Sequence, residues 1–272
     1  MAAVSRKEWT VVGTQIGLLG FLYIFLYVPI FVIIFVSFVN NTVWPFPPEW
    51  TLRWYHRLTI MSDFHEGFKN SFLLGLGTAC IATLFASTAA IGLLKYKTRW
   101  RGVLAVVYLS PLFVAGLLIG ISTLMFNRNI LGLHGTLLSA ILANSTHALA
   151  FAFLVILAQL ARYDWRMDEA AMVFGARPMR TFWEITLPTI WPSVFGAFLI
   201  SFILAFNNLE ISFYNLGAIP TLPTIAWGTL RHGIEPELFA LASVINFLVF
   251  IILTILFFLI RLGFVRLGYR EQ

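Results

Sequence analysis

A chain of 272 residues that is 60% hydrophobic and only 11% charged holds more apolar side chain than one water-facing core can hide, since soluble domains carry roughly a quarter charged residues. Its mean hydropathy of +0.87 makes lipid the solvent for much of the surface. The formal net charge of +6 would suggest nucleic acid only if the basic residues formed one patch; here they follow the loops between apolar runs.

The chain opens on the charged stretch MAAVSRKEW, and residues 13–39 follow as an apolar run. That run is too long for a cleaved leader and lacks a small-residue cleavage site, so it reads as an uncleaved first transmembrane helix. The loop at 40–70 contains WPFPPEWTLRWY, whose Trp44, Trp50, Trp54 and Tyr55 suit interfacial anchoring or a binding surface. Apolar stretches at 71–94, 103–124, 136–158, 193–214 and 239–260 bring the expected spans to six, each near the ~20 residues a bilayer requires. Pro29 and Pro111 fall in or beside spans, where neighbouring helices accommodate them. Asn144, Ser145, Thr146 and His147 fall in the middle of the fourth and are expected to face other helices or a wet path. Residues 215–238, broken by Pro220, Pro223 and Pro236, have room for a re-entrant piece at 224–230.

The expectation is an all-α membrane protein of six transmembrane helices. Residues 1–40 form a tail and first helix, 41–70 an outer (periplasmic) loop, 71–260 a five-helix core and 261–272 a tail. With the N-terminus inside, thirteen of the 18 Lys and Arg fall in inner segments, which places both termini in the cytoplasm.

Several chemistries lack their residues. Cys80 is the single cysteine and forms no internal disulfide or metal cluster. None of Lys7, Lys69, Lys95 or Lys97 sits in a phosphate-binding G-x-x-x-x-G-K-[ST] loop, so ATP has no such site on this chain. No nucleophile and base arrangement marks a catalytic centre, and no cofactor is expected on the chain. No internal repeat is visible, which speaks against several secondary-transporter folds. Glu210, in FNNLEISFY, is the single acid inside an expected span. Together with Asn207 and Asn208 it offers carbonyl oxygens and one carboxylate to a cationic solute; the alternative is a residue at the outer interface or paired with a neighbouring chain. Asn144 lines the path or bridges helices, and Asn127 and Arg128, at the outer edge, meet a partner or water.

One long polar segment, residues 163–188, lies among the inner loops and reads YDWRMDEAAMVFGARPMRTFWEITLP. Met167 to Phe174 has helical character, with Asp168 and Glu169 in the first turn, where the helix dipole favours acids. Ala170 and Ala171 let another surface approach closely. Gly175 supplies the positive φ that ends a helix, and Pro178 suits the first turn of a second one. That second helix is expected to stop near Leu187-Pro188. A short helix, a glycine turn and a second short helix result, with Phe174, Met179, Phe182 and Trp183 as apolar knobs.

The spacing Glu169-Ala170-Ala171, three residues, Gly175, nine residues, Ile185, one residue, Leu187-Pro188 resembles, at every fixed position, the EAA loop of permeases from binding-protein-dependent ABC importers. YVPIFVIIFVSF, PPEWTLRWY, NSFLLGLGTACIATLFAS and LPTIWPSVFGAFLISFILAF look like the second permease subunit of spermidine/putrescine-type transporters. The resemblance implies a type I importer (MetI-like) fold in the bacterial inner membrane. It also implies an ABC ATPase dimer holding ATP and magnesium, a second homologous permease and a solute-binding protein. Carried over, Glu169 contacts the ATPase, Ala170 and Ala171 permit docking, and Gly175 makes the turn. Ile185, Leu187 and Pro188 tie the loop to the fifth span. Such permeases usually carry an acidic pair where this chain has Asn207-Asn208, which leaves the solute a polyamine-like or other amine-bearing compound. An ion-coupled carrier or channel working without an ATPase, or a membrane scaffold, is the competing class.

Overall fold

The computed structural model describes residues 6–41, 46–96, 99–232 and 236–261. Twelve α-helices account for most of them: α1 Arg6–Ser37, α2 Arg53–Ile60, α3 Ser62–Lys95, α4 Arg101–Leu109, α5 Gly116–Asn129, α6 Leu137–Leu160, α7 Arg166–Val173, α8 Pro178–Thr181, α9 Leu187–Phe206, α10 Glu210–Leu216, α11 Leu222–His232 and α12 Pro236–Arg261. Among the described residues the one β pairing is an isolated bridge, Val39 to Trp50. The chain divides into two compact units.

The first unit holds the described residues up to Met61 together with Gly228–Leu248. Side chains from Ile16 to Val32 of α1 are exposed and apolar, a surface suited to lipid. At its end the helix is pinned. Asn40 N donates to Glu49 O at 3.0 Å and Thr51 N to Phe38 O at 2.8 Å, while the Trp54 indole donates to Val39 O at 3.1 Å. Ser37 and Tyr55 share a hydroxyl hydrogen bond of 2.7 Å. Trp54 and Tyr55 are therefore engaged inside this unit, whereas Trp50 is exposed and Trp44 lies outside the described residues. Arg57 pairs with Glu237 at 2.5 Å, joining α2 to the start of α12.

The second unit holds Ser62–Trp227 with the described residues from Val249 on. Its centre is α3, α6 and α9, meeting through small residues. Ala79, Ala82, Ala86 and Ala90 on α3, Ala140, Ala143, Ala150 and Ala152 on α6, and Ala197 on α9 are all fully buried. Small interfacial residues let helix backbones approach closely, which supplies van der Waals energy where lipid offers no hydrophobic contrast. Phe153, Ile156, Leu160 and Ile190 fill the layer nearest the 163–188 hairpin.

Five described helices are long and apolar enough to cross a bilayer, or six if a bent pair counts as one span. That pair corrects the expected third span. Instead of one helix over 103–124, α4 and a 3-10 turn at Ser110–Phe113 meet α5 at an angle of 107°. Pro111 opens the turn, and Val114 and Ala115 are extended (ψ 131° and 139°), so the helical ladder cannot run through. The fifth span is also redrawn: instead of 193–214, the helix runs from Pro178 to Phe206 and α10 is separate. The second span begins earlier than residue 71, at Ser62, and the piece expected at 224–230 is part of α11.

Candidate functional site

The 163–188 hairpin is closed by backbone chemistry. Helix α7 ends in a Schellman motif: Gly175 N donates to Met172 O at 3.0 Å and Ala176 N to Ala171 O at 3.0 Å. Gly175 has φ +90°, in the left-handed region that an L side chain resists. The chain then turns into α8 at Pro178 but does not stop at Leu187-Pro188 as expected. A π-turn over Phe182–Thr186, with Leu187 N donating to Phe182 O, carries the helix directly into α9. Proline has no N–H and its ring crowds the preceding turn, and a one-residue bulge relieves that crowding without ending the helix. Ile185 lies half-buried in the bulge, Leu187 packs on the Ala-rich core, and Pro188 is exposed.

Two neighbouring acids take opposite roles. Glu169 and Ala170 are exposed and Ala171 is half-buried, on the accessible side of α7. Asp168, by contrast, is only 2% exposed. Its carboxylate accepts from Tyr163 Oη at 2.5 Å and lies 3.1 and 3.0 Å from Thr186 Oγ1. Lys95 Nζ, from the last turn of α3, stands 3.5 Å away and also lies over the Trp165 ring at 5.8 Å. A buried carboxylate left without partners costs several kcal/mol, and these three side chains supply the partners. Burial, followed by the hydrogen bond to Asp168, pushes the Tyr163 phenol above its usual range. The sequence expectation of a dipole-favoured acid described where Asp168 sits along α7 and missed where its side chain points. Tyr163, Thr186 and Lys95 carried no signal of their own.

Among the hairpin's exposed charges stand several exposed apolar side chains. Val173 and Phe174 are 85% and 92% exposed, and Met179 and Trp183 are also exposed. Arg180 and Glu184 form an exposed i,i+4 pair beside them at 2.8 Å. Val173 and Phe174 stand at the turn, whereas Met179 and Trp183 border a groove with Leu84 and Ile91 of α3 and with Tyr96 just beyond it; exposed apolar side chains of this kind suit a docking surface.

A second polar locus surrounds the α4–α5 bend. Asn207 caps the end of α9 and is exposed. Asn208 Oδ1 accepts from Ile211 N at 2.8 Å, so its side chain caps α10. Glu210, exposed in the first turn of α10, lies so close to Gly116 that a Cβ there would collide with its carboxylate. Gly116 is the first residue of α5, whose N-cap Ala115 offers no side-chain acceptor, so the carboxylate faces the positive end of that helix. One turn on, a Cβ at Gly120 would come within 3.0 Å of Glu210 O and 3.1 Å of Ile211 Cα, so α10 rests on a glycine face of α5.

Asn144 is buried, donating to Ser212 Oγ at 3.1 Å and to Ala140 O at 2.9 Å between α6 and α10. Asn127, expected at the outer edge, is instead buried and donates to Ser139 O at 3.0 Å and Asn215 Oδ1 at 3.3 Å. Asn215 in turn donates to Gly120 O at 3.1 Å. This knot joins α5, α6 and α10, and the amide on α10 was not foreseen. No group of three or more His, Cys, Asp or Glu able to hold a metal occurs among the described residues.

A helical bundle with membrane-length spans, a closed hairpin carrying an apolar tip and a polar locus at a broken helix has the make-up of a transport permease. No family model matches the chain. The putrescine transport system permease protein PotI of Escherichia coli is 31% identical over 253 residues, covering 89% of this chain and 87% of that protein. The spermidine/putrescine transport system permease protein PotC of Escherichia coli is 28% identical over 200 residues, 72% of this chain and 74% of that one. Among solved structures, a bacterial ABC transporter that imports the acidic polysaccharide alginate matches with a TM-score of 0.71 at 17% identity, covering 96% of this chain and 99% of that one. The chain belongs to the family of ABC importer permeases, with the spermidine/putrescine-type permeases among its relatives, and is a multi-pass membrane protein.

Proposed function

We propose that this chain forms half of the transmembrane pathway of an importer in a bacterial inner membrane, both termini facing the cytoplasm. The pathway carries a small amine-bearing solute, polyamine-like in character. A second homologous permease supplies the other half, a solute-binding protein delivers cargo from outside, and a separate ABC ATPase dimer binds ATP and magnesium. Energy enters through the 163–188 hairpin: Glu169 meets the ATPase, Ala170 and Ala171 permit close approach, Gly175 sets the turn, and Ile185, Leu187 and Pro188 connect it to α9.

The observation that carries this reading is the Schellman-closed hairpin whose turn exposes Val173 and Phe174 on the same short helix as the exposed Glu169. Asn207, Asn208, Glu210 and Asn144 are the proposed pathway residues. The support there is an exposed carboxylate set against the first turn of α5, just past the end of the fifth span, with Asn207 and Asn208 beside it. The test is uptake of a labelled diamine into proteoliposomes containing the chain, its partner permease, the ATPase and the binding protein. Uptake is expected to require ATP and every component. Uptake by the purified chain alone, indifferent to ATP, overturns the proposal.

A further inference from the structure

The buried Asp168 carboxylate lies beneath the proposed docking surface rather than on it. Its side-chain partners come from three places in the chain: Tyr163 from the segment leaving α6, Thr186 from the π-turn opening into α9, and Lys95 from the last turn of α3. We propose that Asp168 is the positioning residue through which a displacement of α7 is delivered to α3 and α9 together. The inference rests on the reading of the hairpin as the ATPase docking site, and it names the element that makes docking productive.

Two arguments support a transmitting role over simple packing. First, replacing a buried ion pair by well-packed apolar residues is often neutral or stabilising, so stability alone does not account for a charge here. The surroundings already offer such packing: Tyr163, Trp165 and Leu187 lie against the Ala86–Phe153–Ile190 layer. Second, a push on the exposed tip of a two-turn helix moves the transmembrane helices only if α7 cannot slide or roll against them. Hydrogen bonds to one carboxylate are directional, whereas apolar contact permits sliding. Asp168 fixes α7 to the end of α3 and the start of α9 at one point, while Glu169, one residue on, points outward.

The experiment uses the complete transporter in proteoliposomes and reads ATP hydrolysed per solute imported, with ATPase recovery on the affinity-purified chain measuring assembly. Asp168→Asn keeps the side chain's shape while removing its charge. It is expected to recover wild-type amounts of ATPase and to hydrolyse ATP, while uptake falls at least tenfold, so the ratio rises. Lys95→Met is expected to raise the ratio less, and the double variant no further than Asp168→Asn alone. Thr186→Val, which removes one hydroxyl, gives an intermediate ratio and keeps the proposal testable if Asp168→Asn fails to assemble. Uptake and hydrolysis falling together in proportion to assembled complex would make the residue merely structural and overturn the proposal. Absence of ATPase from the wild-type complex would instead defeat the docking reading itself, and the transmitting role with it.

Discussion

Gly175 offers the cleanest perturbation of the hairpin, because its surroundings separate backbone strain from crowding. Nothing lies within 4 Å of where a Cβ would sit, yet φ is +90°. The cost of a side chain is therefore conformational: about 1–2 kcal/mol for alanine in the left-handed region, more for a β-branched residue, and least for asparagine, which tolerates that region. A loss of about 1–2 kcal/mol changes the ratio of closed to open hairpin by a factor of about 5–30. The readout is ATP-driven uptake in proteoliposomes with hydrolysis followed in parallel. Uptake per ATP should fall in the order glycine, asparagine, alanine, valine, with Gly175→Val at least tenfold down. Wild-type coupling in Gly175→Val would show that the left-handed turn is not needed. Equal damage from asparagine and valine would point to crowding rather than φ.

Three other perturbations address the second polar locus. Asn215→Leu leaves the Asn127 and Ser139 polar groups short of a partner and should cost about 1–3 kcal/mol, read as a lowered unfolding midpoint in detergent; an unchanged midpoint contradicts the knot's role. Gly120→Val forces a side chain against the α10 backbone, at about 1–3 kcal/mol of overpacking, and thermal unfolding again checks it. Glu210→Gln should weaken uptake of a diamine while leaving ATPase recovery unchanged, and wild-type uptake would retire Glu210 as a solute contact.

Helix content and membrane class are legible in the apolar runs, because lipid imposes a length and a composition that the chain displays openly. Gly175 is legible too, since a glycine between a helical stretch and a proline has few other uses. The broken helices are not. Hydropathy registers that 103–124 is apolar but not that extended residues at 114 and 115 turn the chain through 107°. The same blindness runs 193–214 together across the caps at Asn207 and Asn208. Leu187-Pro188 reads as a stop because proline usually ends a helix, and the π-turn that carries the chain past it depends on hydrogen bonds no local pattern reveals. Asp168 and Glu169 look alike in sequence, and only the tertiary placement of Lys95 and Thr186 turns one inward and leaves the other outside.

Docking of an ATPase on the tip of the 163–188 hairpin can be tested directly. Phe174, 92% exposed at that tip, can be replaced by photoreactive p-benzoylphenylalanine in the transporting complex and irradiated with and without ATP. One dominant cross-link is expected, to the ATPase subunit, with a yield that changes with nucleotide. A complex that still transports but gives no ATPase cross-link from this position, in either state, would contradict it.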